Sequence, residues 1–149
     1  MQMEHKFVVD VPRQKLWDFL MDVPRMATCI PGVESVEIVD ANCYRGKLKV
    51  SVGPVSARFD GTVDILEMDV QQYHASLKAS GADTRLGSGA NVKMVMNLKD
   101  LAPTQSEMVV GTEVKILGKL GDFGQGVLNR KANDLMKEFS NRIKAALEV

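Results

Sequence analysis

The sequence has little of what most catalytic chemistry uses. Only two residues are cysteine and two are histidine. Cys29 and Cys43 lack CxxC spacing, which predicts reduced thiols and not a disulfide framework. No His, Cys, Asp or Glu grouping has metal-ligand spacing. No charge of one sign prevails: Lys and Arg number 19, Asp and Glu also 19, and the formal net charge is zero. That balance argues against a dedicated nucleic-acid binder, which usually carries a basic excess. The opening "MQMEHKFVVDV" lacks the basic segment and long apolar run of a signal peptide. No stretch approaches the roughly 20 apolar residues that cross a bilayer. These absences predict a cytoplasmic protein, and a length of 149 residues predicts one domain, residues 1–149, with a sizeable core.

What the chain does have is alternation. "HKFVVDV" predicts a first strand. Pro12 stands where a first helical turn tolerates proline, and "RQKLWDFLMD" reads as a short helix near residues 12–20. Pro24 opens a second helical piece near 24–29, which "IPG" stops. "VESVEIV" then begins a run of six strands. Their apolar members share one face by period 2: Tyr44, Gly46, Leu48, Val50 and Val52, then Val55, Ala57, Phe59, Gly61, Val63 and Ile65. Tyr73, Ala75, Leu77 and Ala79 follow, then Ala90, Val92, Met94, Met96 and Leu98, and finally Val110, Thr112, Val114 and Ile116. A sheet with one apolar and one polar face is normally antiparallel. The C-terminal segment, roughly 124–147, places Leu128, Ala132, Leu135, Met136, Phe139, Ile143, Ala146 and Leu147 on one helical stripe. The two apolar faces predict an α+β fold in which a curved antiparallel sheet of about seven strands wraps a long C-terminal helix.

Between the last strand and that helix lies "GKLGDFGQG", residues 118–126. Strand, glycine-rich loop and helix suggest a phosphate site, but a dinucleotide loop needs a helix that returns to a parallel strand. No strand follows here, the glycines run G-x-x-G-x-G, and no Gly-Lys-Ser/Thr is present. Gly121, Gly124 and Gly126 are better read as a hinge that lets the strand leave the sheet and re-enter as a helix.

Longer motifs resemble one family. "VPRQKLWDFLMDVPRMATCIPGVESVE" (11–37), "YRGKLKVSVGPVSARFDGTVDI" (44–65), "VVGTEVKILGKLGDFGQGVL" (109–128) and the terminal phenylalanine-bearing helix resemble the CoxG family of carbon monoxide dehydrogenase subunits. That family lies within the START-like (SRPBCC) superfamily of helix-grip folds, and the resemblance covers essentially the whole chain. It implies a role beside molybdenum-containing CO dehydrogenases and related hydroxylases, in membrane recruitment or in linkage to the respiratory chain. It implies no catalytic or metal-bearing part. The wider fold holds apolar ligands between sheet and helix, and an isoprenoid quinone would be both apolar and respiratory. Many relatives carry a long C-terminal tail; this chain stops at Val149, so at most peripheral membrane contact is expected. A homodimer stays open.

The residue-level expectations follow. His5 and His74 read as satisfied or solvated histidines, Cys29 as a small buried hydrophobe, and Asp60 and Asp64 as solvated carboxylates on the polar face. Nine methionines are either flexible core filler or an adaptable pocket wall. The expected ligand site takes its sheet wall from Leu48, Phe59, Tyr73, Leu77, Met94, Met96, Val114 and Ile116. Its helix wall comes from Leu128, Leu135, Met136 and Phe139, and its entrance lies at Gly121, Phe123, Gly124, Gly126 and Val127. Phe123 and Val127 either pack under the hinge or form an apolar rim. The small inward residues Gly46, Ala57, Gly61, Ala75, Ala79 and Ala90 would leave the cavity its volume. Three functions stay open: a non-catalytic carrier of a quinone or lipid with no covalently bound cofactor, an assembly factor with a filled core, and a small enzyme of the cyclase or hydrolase type. Tyr44, Tyr73 and Thr112 are the inward polar candidates for the last.

Overall fold

The computed structural model describes residues 1–148; Val149, the last residue of the expected domain, lies outside the described residues. Strand β1 (Gln2–Val9) leads into α1 (Arg13–Met21) and α2 (Val23–Ala27). Pro12 immediately precedes α1, and Pro24 sits in the first turn of α2, where its missing N–H costs nothing. Six strands follow: β2 (Val33–Asp40), β3 (Cys43–Val52), β4 (Val55–Asp69), β5 (His74–Asp83), β6 (Ser88–Ala102) and β7 (Gln105–Gly118). A 3-10 turn at Lys119–Phe123 then delivers the chain to α3 (Gln125–Leu147). All pairings are antiparallel, and the sheet order is β1-β7-β6-β5-β4-β3-β2. Period-2 alternation placed all seven strands, and the helical stripe placed α3.

The sheet curves around α3, and a row of small residues marks a close approach of backbones. Gly46 pairs with Gly61, Gly61 with Gly81, and Gly81 with Ala90. A Cβ at position 61 would overlap the Ser80 carbonyl oxygen and stand 2.6 Å from Gly81 Cα. Gly61 is therefore there for the bend. This corrects the expectation that it leaves volume for a ligand.

Two separate apolar clusters tie the layers together. One gathers Val9, Leu16, Trp17, Phe19, Leu20, Met96, Leu98, Met108, Val110, Ile143 and Leu147, so it joins β1, β6 and β7 to α1 and the C-terminal end of α3. The other gathers Val52, Ala57, Phe59 and Leu120 at the opposite end, beneath the 3-10 turn. Cys29 is buried as a small hydrophobe in the first cluster. Ala146 is exposed, because the stripe narrows to Ile143 and Leu147 where α3 meets α1 and β1.

Tyr73 departs from the expected strand. It occupies the β4–β5 turn at φ 49°, and β5 begins only at His74. Its ring meets Trp17 edge-on at 5.7 Å, Arg13 stacks 3.8 Å above it, and its hydroxyl donates to Gln14 Oε1 at 2.5 Å. It therefore packs on α1 and is not part of the sheet wall.

Asp83 ends β5 as a buried carboxylate. Its Oδ2 accepts the Arg58 backbone N–H at 2.8 Å and its Oδ1 accepts that of Leu86 at 3.0 Å. These two N–H groups, the Arg58 one foremost, hold its pKa below the ordinary aspartate value. A carboxyl with a lowered folded pKa stabilises the fold above its unfolded value of about 3.9, and this contribution is lost as pH falls through the folded value. Asp83→Asn should therefore lower Tm by several degrees at pH 7. The gap to the parent should close as thermal melts are taken below about pH 4. A gap that stays constant across that range would show that the charge of Asp83 is not the source.

Candidate functional site

The space between the two clusters is where the inner face is left incompletely covered. Val63 pairs with Ala79, Ala79 with Val92, and Val92 with Val114, so these four form one row across β4, β5, β6 and β7. Their parity turns them toward α3, yet each stays half-buried and none belongs to either cluster. Ile65 and its partner Leu77 flank the row and are also half-buried outside both clusters, whereas Leu48 lies beyond the glycine row, paired with Phe59. Opposite them, Ala132 and Leu135 of α3 are half-buried in the same way. The close backbone approaches of α3 are to β1 and to the 3-10 turn. The helix is thus held at β1 and at the 3-10 turn, and the apolar row between the two clusters is left as an incompletely covered cleft.

The expected site residues divide accordingly. Leu77, Val114 and Leu135 border the cleft, and Leu48 stands at the turn end beside Phe59. Met94, Met136 and Phe139 pack against the α1-end cluster, where Met96 is buried, and Ile116 and Leu128 pack against the turn-end cluster, where Phe59 is buried. These residues form the two ends of the cleft. Phe123 and Val127 are half-buried against Val52, Ala57, Phe59 and Leu120, so they pack under the turn, one of the two alternatives left open above.

The expected glycine hinge is more firmly tethered than its composition suggests. Leu120 is buried, and its N–H donates to Ser88 Oγ at 2.8 Å. A Cβ at position 121 would meet the Ile116 carbonyl oxygen at 3.2 Å, so Gly121 is packed. Gly124 caps α3 at φ 85°, a conformation that favours glycine, whereas Gly126 has open space around it within the first helical turn. Of the three, Gly124 is the one whose backbone conformation calls for glycine.

Sequence reasoning missed the polar groups at the edge of the cleft. His5 shares the parity of Phe7 and Val9, and its Nε2 meets Asn133 Oδ1 of α3 at 2.7 Å. The alternation of β1 itself carried that signal. Thr112, expected to face inward, does so on β7 and pairs with Met3 of β1. Asn129 of α3 is half-buried nearby on the same flank of the helix, one turn before Asn133.

The other candidates lie away from the cleft. His74 is on the outer face, with Nδ1 2.8 Å from Asn97 Oδ1 and Nε2 3.5 Å from Glu67. Asp60 and Asp64 are outward by parity. Burial and the neighbouring Asp64 carboxylate push the Cys43 thiol pKa up, away from a reactive thiolate. Among the described residues no group of three or more His, Cys, Asp or Glu is placed to hold a metal ion. None of the described helices is long and apolar enough to cross a membrane. A depression of about 630 Å³ is lined by the outward side chains of Asp64, Lys78, Lys93, Glu113 and Lys115, and Ala79, Val92 and Val114 of the row also border it. An apolar molecule gains little on so charged a surface, and the cleft is the better site for one.

Comparison with known proteins agrees with this architecture. A conserved protein from Geobacillus kaustophilus superposes with a TM-score of 0.90 at 20% identity, covering 98% of this chain and 94% of that one. The Zhui aromatase/cyclase from Streptomyces sp. R1128 superposes at 0.73 with 18% identity, covering 99% and 93%. A START superfamily protein from Mycobacterium smegmatis also reaches 0.73, at 9% identity, covering 99% and 97%. At these identities the likeness is one of fold: the START-like helix grip. No curated protein matches the sequence. The family model for the CoxG subunits of carbon monoxide dehydrogenase matches residues 6–148. With that match running from β1 to the end of α3, the chain belongs to the CoxG family of carbon monoxide dehydrogenase subunits.

Proposed function

We propose that this protein is a non-catalytic carrier module that holds one elongated apolar ligand, an isoprenoid quinone or a lipid, between the sheet and α3. It would serve a molybdenum-containing CO dehydrogenase-type hydroxylase, either recruiting it peripherally to the membrane or linking it to electron transfer. The family supports the association with such an enzyme, and the START-like neighbours support ligand binding as the use of the fold. The observation that carries the reading is the row Val63, Ala79, Val92 and Val114, apolar and helix-facing yet half-exposed.

The energetics favour an elongated ligand. Each buried CH₂ contributes roughly 0.8 kcal/mol, while lost translational and rotational freedom costs about 4–15 kcal/mol. A short molecule therefore gains little, and break-even falls at about 5–19 buried methylenes. Solvent extraction of natively purified protein, followed by mass spectrometry, should yield a near-stoichiometric isoprenoid or lipid. Protein that carries none and binds no quinone analogue or lipid would move the function to the assembly-factor reading. The aromatase/cyclase among the neighbours keeps catalysis as the rival reading; steady turnover abolished by one conservative cleft substitution would establish it.

A further inference from the structure

We infer that the seam between β1, β7 and α3 is an anchor for a hydroxyl group on the ligand, so that the cleft selects a phenol, hydroquinone or similar alcohol over the corresponding carbonyl or ether; this rests on the carrier reading above. His5 Nε2 stands 2.7 Å from Asn133 Oδ1. An amide oxygen only accepts, so Nε2 carries the ring proton, and Nδ1 of the neutral imidazole is left as an acceptor. That Nδ1 is buried and has no partner. Thr112 Oγ1 and Asn129 Oδ1 are likewise buried without partners. Folded proteins leave few polar atoms in that condition.

The three groups share one place. α3 runs alongside β1 in the same direction, since His5 meets Asn133 and the Asp10 N–H reaches Glu148 Oε1 at 3.4 Å. One turn back from Asn133, Asn129 therefore lies toward Met3, whose partner on β7 is Thr112. Thr112 in turn pairs with Met94, and Met94 with Leu77, so the seam abuts the apolar floor.

The donor and acceptor inventory sets the selectivity. Two of the three unpartnered atoms accept only, and the third is a hydroxyl. A ligand O–H can donate to His5 Nδ1 and accept from Thr112 Oγ1. A quinone carbonyl or an anionic headgroup brings acceptors alone: it can accept from Thr112 Oγ1 but has nothing to donate to His5 Nδ1 or Asn129 Oδ1.

The test uses a long-chain 4-alkylphenol and its O-methyl ether with the full chain, measured by isothermal titration calorimetry. The phenol should bind about 10-fold more tightly than the ether, the size of one well-made hydrogen bond. Thr112→Val and His5→Phe should each bring the phenol-to-ether ratio near one. Nitrogen-15 NMR of the parent gives a second readout that needs no variant. The phenol should move the His5 Nδ1 resonance and leave His74, on the outer face, in place; the ether should move neither. Equal binding of both probes with no His5 response overturns the anchor and leaves the carrier reading standing. Failure of both probes to bind overturns both.

Discussion

Replacing Gly61 with leucine should cost the domain about 4 kcal/mol or more, enough to lower Tm by roughly 10 °C and reduce soluble yield. The side chain would begin its path inside the backbone of the neighbouring strand. Its Cβ would overlap the Ser80 carbonyl oxygen and stand 2.6 Å from Gly81 Cα. No rotamer change relieves a clash with main chain, so β4 and β5 would have to part where the row Gly46–Gly61–Gly81 crosses the sheet. Gly111→Ala is the matched control. Gly111 lies outward on β7, and a Cβ there meets nothing within 4 Å. That variant should stay within about 0.5 kcal/mol of the parent. Thermal and urea unfolding of the pair decide the matter: a Gly61→Leu protein as stable as the parent would show that the row is not what lets the sheet curve.

The same glycine shows where the sequence ran out. Period 2 assigns Gly61 to the inner face but cannot say whether the missing side chain makes room for a ligand or for the next strand. That depends on which residue sits across the ladder, a property of register. Tyr73 is a second case. It continues the parity of Ala75 and Leu77, yet its φ of 49° takes it out of the strand and onto Trp17. The turn's own hydrogen bonds, from the N–H groups of Gln71 and Gln72 to Asp69 Oδ1 at 3.1 Å each, fix that geometry. The glycine-rich segment is a third: its composition suggests slack, whereas Ser88, 32 residues earlier, pins Leu120 in place. By contrast, the succession of strands along the chain, the short helices after their prolines and the long stripe of α3 were all legible, because each is dictated by local periodicity. His5 was legible only as far as its phase with Phe7 and Val9, a signal of the site that was missed. Asn129 and Asn133 were not, since only the packing of α3 on β1 turns the flank of the stripe into part of a site.

The cleft itself meets its sharpest test at Ala79. This residue is half-buried, faces α3 and stands in the middle of the floor between Val63 and Val92. A tryptophan there would occupy space into which a ligand chain would otherwise pack. Excluding about four methylenes removes roughly 3 kcal/mol of burial, which corresponds to a loss of about 100-fold in affinity for a quinone analogue or long-chain lipid. Ala79 is a better position than Ala75, which packs against the α1-end cluster and whose enlargement would strain that core. Ser80→Trp provides the control: the adjacent residue is exposed on the opposite face of the same strand, so it tests the cost of a large ring in β5 without touching the cleft. Both variants should keep the parent's circular dichroism, and only Ala79→Trp should lose binding. If the Ala79 variant binds as tightly as the parent, the ligand does not lie on this floor. If Ser80→Trp is the one that loses it, the charged outer depression takes over as the site, and the half-exposed inner row becomes an unfilled gap in the core that costs stability.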